Sequence, residues 1–467
     1  MKFYVTLVFW ALLLIPSTTH AEDKVFLKVG EANVKKSLLA LTPLQYYGSD
    51  KDSKNIQAGQ TFYQVTYNDL DVTGLFKFIL PSAYLEDVNK VGIRPAPGTP
   101  GGFNFSSWKT IGTEFLIRGG YKVLSGNVEL EIYLYYVPQG KLVFGKTYKG
   151  PLNALRKIAH TFSADVTLNL TGVKGMFNSK VTVARAKKTK NKKGMWTPGN
   201  KEIYIMDWDG ANTQKISSHQ GIATSPAWSP DGKKVAYTAY AYHPKSKTRN
   251  ADLFIYEIES GKRWLVSYRK GINSGANFLP SGSEILLTLS QKGSPDIFRM
   301  SVDGRTIRRL TRGPNRAMNV EPAVSPDGNT IAFSSDRSGR PMLYTMTAGG
   351  TNVKRLTHAG RYNSTPTWSS DGKKIAFASF TDGHFDLFII DKDGQNLKRL
   401  TKSFKKNGKR ANNEEPTFSP DGRHILFVSD RTGDRQLYVI NPDGTNERRI
   451  THDSYDYFKP KWSNYID

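Results

Sequence analysis

The 467-residue chain has no cysteine. An exported protein of this composition has no disulfide to hold it, so its stability rests on packed cores. A lipid anchor on a cysteine behind a leader is excluded as well. Acidic residues are under-represented, 41 against 66 basic ones, for a formal charge of +25. Such a balance suits anionic partners or a solvated basic surface. No arginine-rich helix or RNA-binding signature accompanies it, so no nucleic-acid partner is expected. The eight histidines are dispersed along the chain, and His243, His358 and His384 read as loop residues. There is no P-loop, no His-Glu-x-x-His and no cysteine ligand set. The nearest string to a nucleophile elbow, Gly271-Ile-Asn-Ser274-Gly275, has the wrong spacing. We therefore expect no metal, no cofactor and no catalysis.

Long apolar runs are also missing, with one exception. Met1-Lys2 precedes the apolar stretch Phe3–Pro16, and small residues follow up to Ala21. This is the pattern of a secretory signal peptide over residues 1–21, cleaved after Ala21. The stretch is short for a transmembrane helix, which needs roughly 20 residues, so direct membrane insertion is not expected. Residues 22–35 follow as a separate segment in which Val25, Leu27 and Val29 alternate with polar neighbours until Gly30. That alternation reads as an extended edge strand.

Residues 36–172 read as an α/β domain. Leu38–Leu41 is a buried-strand candidate. Ile56, Phe62, Val65 and Leu70 recur at helical intervals behind a Ser53 cap. Phe76–Leu80, Glu114–Arg118, Tyr121–Leu124, Val128–Val137 and Leu142–Tyr148 are strand-like, with Gly119-Gly120 as a turn. Leu152, Leu155, Ile158, Phe162 and Val166 line a helix that ends by Gly172.

Residues 173–467 repeat. A block resembling Pro-x-Trp-Ser-Pro-Asp-Gly occurs at Pro226–Gly232, Pro322–Gly328, Pro366–Gly372 and Pro416–Gly422, with a degenerate copy at Ala276–Gly282 and a cut-off copy at Pro460–Ser463. The spacing, roughly 45–50 residues, belongs to radial β architectures. A second turn marker recurs six times: Asp209-Gly210, Ser260-Gly261, Asp303-Gly304, Gly349-Gly350, Asp393-Gly394 and Asp443-Gly444. Each unit thus reads as four antiparallel strands A to D, and six units make a six-bladed β-propeller. Lys374–Ala378 and His424–Val428 are apolar on both faces, as a blade between two blades requires. The last copy supplies a strand A alone. Its missing strands lie at Val181–Ala186, Ile203–Asp207 and Gln214–Ser217, so both ends of the repeat region close the sixth blade. The fold class is α+β multidomain, an α/β domain followed by this propeller.

Asp231, Asp327, Asp371 and Asp421 belong to turns and are not catalytic candidates. Lys187–Gly194 reads as a solvated hairpin loop. The A–B and C–D turns share one face of the ring, expected to be quiet. On the other face, the stretches before each strand A ring the channel mouth and carry the binding candidates. They are His219–Ser225, Arg269–Gly275, Arg316–Glu321, Arg361–Thr365, Lys409–Glu415 and Asp453–Lys459. Arg316, Arg361, Tyr362, Tyr457 and Phe458 are the anchors suited to a protein partner. Glu321, Thr365 and Glu415 complete the set.

The signal peptide, Leu41-Thr-Pro43-Leu-Gln45, the junction Leu170-Thr-Gly-Val-Lys-Gly-Met-Phe177, and repeats such as Ser325–Gly328 with Ser335–Gly339 and Ser429–Gly433 together resemble the TolB family. That family is the periplasmic component of the Tol–Pal system of Gram-negative bacteria. The resemblance implies a monomeric, non-enzymatic hub supporting envelope integrity and outer-membrane constriction at division. It implies that the propeller mouth receives a Pal-like peptidoglycan-associated lipoprotein, with other outer-membrane lipoproteins as further partners. It implies that the N-terminal segment, here Glu22, Val25, Leu27, Val29, Gly30 and Asn33, engages a TolA-like inner-membrane protein. Carried over by position, Ile272, Gly275 and Val320 fall in partner-contacting loops. Ile272 stands where the family often has histidine, and the degenerate second repeat points to a rewired contact there. A peptidoglycan- or glycan-binding module is the alternative that the basic charge leaves open.

Overall fold

The computed structural model describes residues 27, 35–50, 52–190, 196–243, 248–291 and 293–466. The signal-peptide expectation, and the candidates Glu22, Val25, Val29, Gly30 and Asn33, lie outside these residues.

The first domain is built on one mixed sheet. Its strands are β1 (Ser37–Leu41), β2 (Gln45–Tyr46), β3 (Phe76–Phe78), β6 (Phe115–Leu124), β7 (Asn127–Tyr136) and β8 (Lys141–Pro151), the short pair β4 (Gly92–Pro95) and β5 (Gly102–Phe103) lying apart. The order is β3-β1-β6-β7-β8, with β2 also on β6. Strand alternation sorts the side chains. Leu39, Leu41, Phe115 and Ile117 pack beneath α1 (Ser53–Val72) and α3 (Leu155–Thr171). Ala40 and Leu116 face Trp108 of the short α2 (Phe105–Thr110) on the other side.

Two local expectations are corrected. The cap of α1 is Asp52, whose side chain accepts from the Lys54 amide at 2.8 Å, and not Ser53. Gly119-Gly120 is no turn; it sits inside the continuous strand β6, paired with Ile132 and Glu131. A Cβ at either glycine would meet a neighbour closer than 3.0 Å, Tyr47 in the case of Gly120, so these glycines serve close packing. α3 ends as expected, at Gly172 in the left-handed region with φ 73°.

The repeats form six four-stranded antiparallel sheets. We number the blades by their inner strand A: Ala223–Trp228, Asn273–Phe278, Asn319–Val324, Tyr362–Trp368, Asn413–Phe418 and Tyr455–Trp462. Strand A of blade six pairs antiparallel with Lys180–Lys190, which continues to Trp196–Asp207 and Gln214–Lys215. The chain therefore closes its own ring. Trp462, buried and hydrogen-bonded to Ser179 Oγ at 2.6 Å, holds the closure.

The repeated aspartates are turn residues. Asp231 accepts from Ser229 Oγ at 2.5 Å and from the Lys233 amide at 3.0 Å, and Asp371 repeats the pattern on Ser369 and Lys373. The degenerate blade two puts Leu279 and Ser281 where the others have Ser and Asp. It keeps Gly282 at φ 72° and the closing Gly282 N to Leu279 O bond at 2.9 Å. The left-handed glycine thus suffices for that turn.

Candidate functional site

The two faces of the ring differ. Turns of blades five and six on the Asp-Gly face dock the first domain, so that face is not quiet as expected. Asp69 of α1, fully buried, receives His160 Nδ1 at 2.8 Å and Trp208 Nε1 at 3.1 Å. Arg156 pairs with Asp209 at 2.6 Å and Arg448 with Asp71 at 2.7 Å. Asn446 and His424 both bond the Val72 carbonyl, at 2.7 and 3.1 Å. Val72, Ala164, Met176 and Phe177 join one apolar cluster with Val181, Trp208 and Leu426. Burial lowers the His160 pKa, but the Asp69 charge and hydrogen bond, with Asp209 behind them, lift it above the ordinary value. His160, Asp207 and Asp209 also bring three potential metal-ligating atoms within 4.8 Å of one another. Both carboxylates there already have cationic partners, Lys180 and Arg156.

The opposite face is the channel mouth. Strand A begins there, and a buried asparagine holds its entry in four blades: Asn273, Asn319, Asn363 and Asn413, all at 0% exposure. Asn273 Nδ2 donates to the Ala251 and Arg269 carbonyls at 2.9 and 2.6 Å; Asn319 and Asn413 donate to Asp296 and Asp386, at 2.9 and 2.8 Å. These amides pin the rim to the blade body. They were missed in the sequence, although an Asn three residues before the repeat proline (Asn319–Pro322, Asn363–Pro366, Asn413–Pro416) is a periodic signal.

Tyr457, expected as an anchor, is instead buried, with its hydroxyl donating to Asp453 at 2.8 Å; the other candidates divide into two groups. Ile272, Arg316, Arg361 and Tyr362 are exposed on the rim, and Ile272 and Tyr362 each keep 41% of their surface in solvent. Arg316 follows Asn315 in the left-handed region, φ 59° and 49°. Tyr362 rests edge-on against Phe385, ring centroids 5.9 Å apart. Val320 is half-buried and pairs with Ser334. Further apolar groups outside the candidate set share this face: Ile222, Tyr240, Tyr268, Met318 and Phe404 are all exposed.

The second group lies inside the channel. Every strand A carries a bulge, and the bulged residue has positive φ: Ser225, Gly275, Glu321, Thr365, Glu415 and Lys459, between 49° and 65°. Glycine occupies this conformation freely; for the other five it costs on the order of 1 kcal/mol or more each. Glu321 of blade three reaches Lys459 of blade six, on the opposite side of the ring, at 2.8 Å. The second Glu321 oxygen accepts from the Thr365 amide at 2.8 Å, and Glu415 accepts from the Lys459 amide at 2.7 Å. Arg435 adds bonds to Glu414 and Glu415 at 2.8 and 3.2 Å. Burial pushes the Glu321 carboxyl up, but the Lys459 charge and its hydrogen bonds bring it below its ordinary value. Burial pulls the Lys459 ammonium down, and Glu321 and Glu415 more than reverse it. A saturated ion-pair network thus bridges the channel behind the rim. Phe458 lies beside it, with the Lys201 ammonium 3.7 Å from its ring centre and the Arg435 guanidinium 4.9 Å away. Lys459 and Arg435 were missed as channel residues. The signal for the ring was the position just before each repeat proline.

Leu27 is the one candidate residue of the N-terminal segment among the described residues. Its amide donates to the Leu170 carbonyl at 2.6 Å, and its side chain packs on the helix-side core of the first domain.

Residues 168–409 and 363–466 match the family described as the TolB beta propeller domain, and residues 27–143 match the TolB amino-terminal domain. The Tol-Pal system protein TolB of Desulfosudis oleivorans is 32% identical over 307 residues, 66% of this chain and 64% of that one. The protein TolB homolog of Chlorobaculum tepidum is 33% identical over 309 residues, with the same two shares. The Geobacter sulfurreducens Tol-Pal system protein TolB is 34% identical over 228 residues, 48% of each chain. The chain thus spans about half to two-thirds of the length of these curated relatives. The crystal structure of TolB from Acinetobacter baumannii superposes with a TM-score of 0.74 at 23% identity, covering 92% of this chain and 97% of that one, which establishes a shared fold.

Proposed function

This chain belongs to the TolB family, and from that premise we propose that it acts as a non-enzymatic periplasmic hub of a Tol–Pal system. In this reading the propeller mouth holds a Pal-like outer-membrane lipoprotein and the N-terminal segment 22–33 engages a TolA-like inner-membrane protein. The link supports envelope integrity and constriction during division.

The observation that carries the reading is the composition of the mouth. Exposed Ile272, Tyr362, Arg316 and Arg361 stand on a rim whose backbone is pinned by buried asparagines. Aromatic and arginine anchors on a rigid, preformed surface are what a protein partner uses. Behind them the carboxylates of the channel already have cationic and amide partners, which disfavours a reactive carboxylate there. Leu27, bonded to Leu170, supplies a docked position from which the N-terminal segment is released to a partner.

Calorimetry with the soluble domain of the cognate lipoprotein tests this. The double variant Arg316→Glu/Arg361→Glu is expected to bind at least tenfold more weakly with an unchanged melting temperature. Deleting residues 22–33 is expected to abolish capture of the TolA-like protein and leave the lipoprotein affinity intact. Unchanged lipoprotein binding by the double variant moves the site off this rim. Recovery of glycan without lipoprotein from envelope extract supports the glycan-binding alternative.

A further inference from the structure

Below the ion-pair bridge lies a cavity of about 500 Å³. It lies toward the Asp-Gly face, where Pro230, Pro280, Pro326 and Pro420 line it together with Trp228 and Trp368. The wall one step past the bulge ring is made of Ala227, Asn277, Ala323, Thr367, Thr417 and Lys461. Lys461 is the only charged residue among the described residues that line it. Its ammonium has no hydrogen-bond or ion-pair partner among the contacts of the described residues, whereas Lys459, two residues earlier, has Glu321 at 2.8 Å. Glu321 and Glu415 are engaged by Lys459 and by backbone amides.

We propose that this chamber is a binding site for a small organic carboxylate, with its acid group on Lys461 and its apolar body against the tryptophan and proline walls. The dimensions suit such a ligand, since pockets for small molecules run from roughly 300 to 1,000 Å³ and combine apolar walls with a few polar groups. Two wall side chains are tied to the neighbouring blades: Trp228 Nε1 donates to the Lys461 carbonyl at 3.1 Å and Trp368 Nε1 to the Ala323 carbonyl at 2.9 Å. The site is therefore formed before any ligand arrives. Lys461 is half-buried, so its charge is only partly screened, and a carboxylate placed on it would gain a charge-assisted hydrogen bond. Burial, and then the neighbouring Lys459 charge, bring the Lys461 pKa down to about 8, with Glu321 and Glu415 opposing. Those three are the titratable groups that face it. A bound carboxylate would raise the pKa again.

Titration calorimetry on the mature full-length chain with benzoate, and with benzamide as its uncharged analogue, tests the site. At pH 6.5 benzoate is expected to bind at least tenfold more tightly than benzamide. That preference is expected to shrink as pH rises past about 8 and Lys461 loses its proton. Lys461→Arg should keep the preference and Lys461→Met should reduce it below twofold. If the Met variant does not fold, the Arg variant and the pH profile still decide. Equal binding of acid and amide by the wild type overturns the proposal, as does a preference that survives both high pH and loss of the lysine. A second arm compares N-acetyl-Ala-Phe with its C-terminal amide. Selective binding of the free peptide acid supports the site with a chain end as its ligand; binding of benzoate alone supports it with a free small acid.

Discussion

The two faces of the propeller are built from the same repeat and hold different kinds of residue. On the Asp-Gly face, turns of blades five and six are consumed by the first domain. There a buried carboxylate, Asp69, an apolar cluster through Val72, Phe177 and Trp208, and ion pairs such as Arg448–Asp71 form one continuous seam. On the mouth face the rim side chains Ile272, Arg316, Arg361 and Tyr362 are left in solvent, and the polar groups that hold them are hidden one layer deeper. The seam face is specified by buried apolar contact and paired charge, and the mouth face by rigid backbone under solvent-exposed side chains. The first pattern is that of a permanent interface, and the second suits the partner docking proposed for the mouth.

Both faces depend on the ring closure. Deleting residues 460–467 removes part of strand A of blade six, with Trp462. Loss of a buried tryptophan alone costs about 3–5 kcal/mol, so the truncated chain is expected to lose cooperative thermal unfolding. A melting curve that matches the full chain would contradict the closure. Next comes the seam. Asp69→Ala leaves His160 Nδ1 and Trp208 Nε1 without their acceptor, and a destabilisation of about 3 kcal/mol is expected in urea unfolding. Lipoprotein affinity at the mouth should stay within twofold. Rim variants should show the reverse, weak binding with full stability.

A smaller effect sharpens the same contrast through pH. The folded-state pKa of His160 is raised by Asp69. A raised histidine contributes stability that is complete below its unfolded value, about 6.5, and is lost as pH climbs through the folded value. The urea midpoint is therefore expected to fall as pH increases above about 6.5, and His160→Gln should flatten that slope. A midpoint rising over this range would show that other groups dominate the seam.

Much of this architecture was readable from the residues. Apolar strands on both faces, the Asp-Gly markers and the orphan strand at Pro460–Ser463 carry the blade count and the closure, because each is a local requirement of a stacked blade. The rim arginines were legible as irregular chemistry in a regular frame. The channel network was not. Glu321 and Lys459 are 138 residues apart, and only the sixfold arrangement brings them across one axis. The bulge that turns them inward leaves no strong mark, since five of its six positions are filled by residues that do not favour positive φ. The docking role of the Asp-Gly face was hidden for the opposite reason. Asp209-Gly210, Ser419–Gly422 and Asp443-Gly444 resemble turns in other blades, and what distinguishes blades five and six is their contact with helices from another part of the chain.

Hydrogen exchange in the presence of the proposed lipoprotein partner bears most directly on the division of labour between the faces. Binding is expected to slow amide exchange around Ile272, Arg316–Val320 and Arg361–Tyr362 and to leave the turns at 209–212 and 441–446 unchanged. Protection concentrated on those turns, with the rim unaffected, would place the partner on the seam side and contradict the assignment of the mouth.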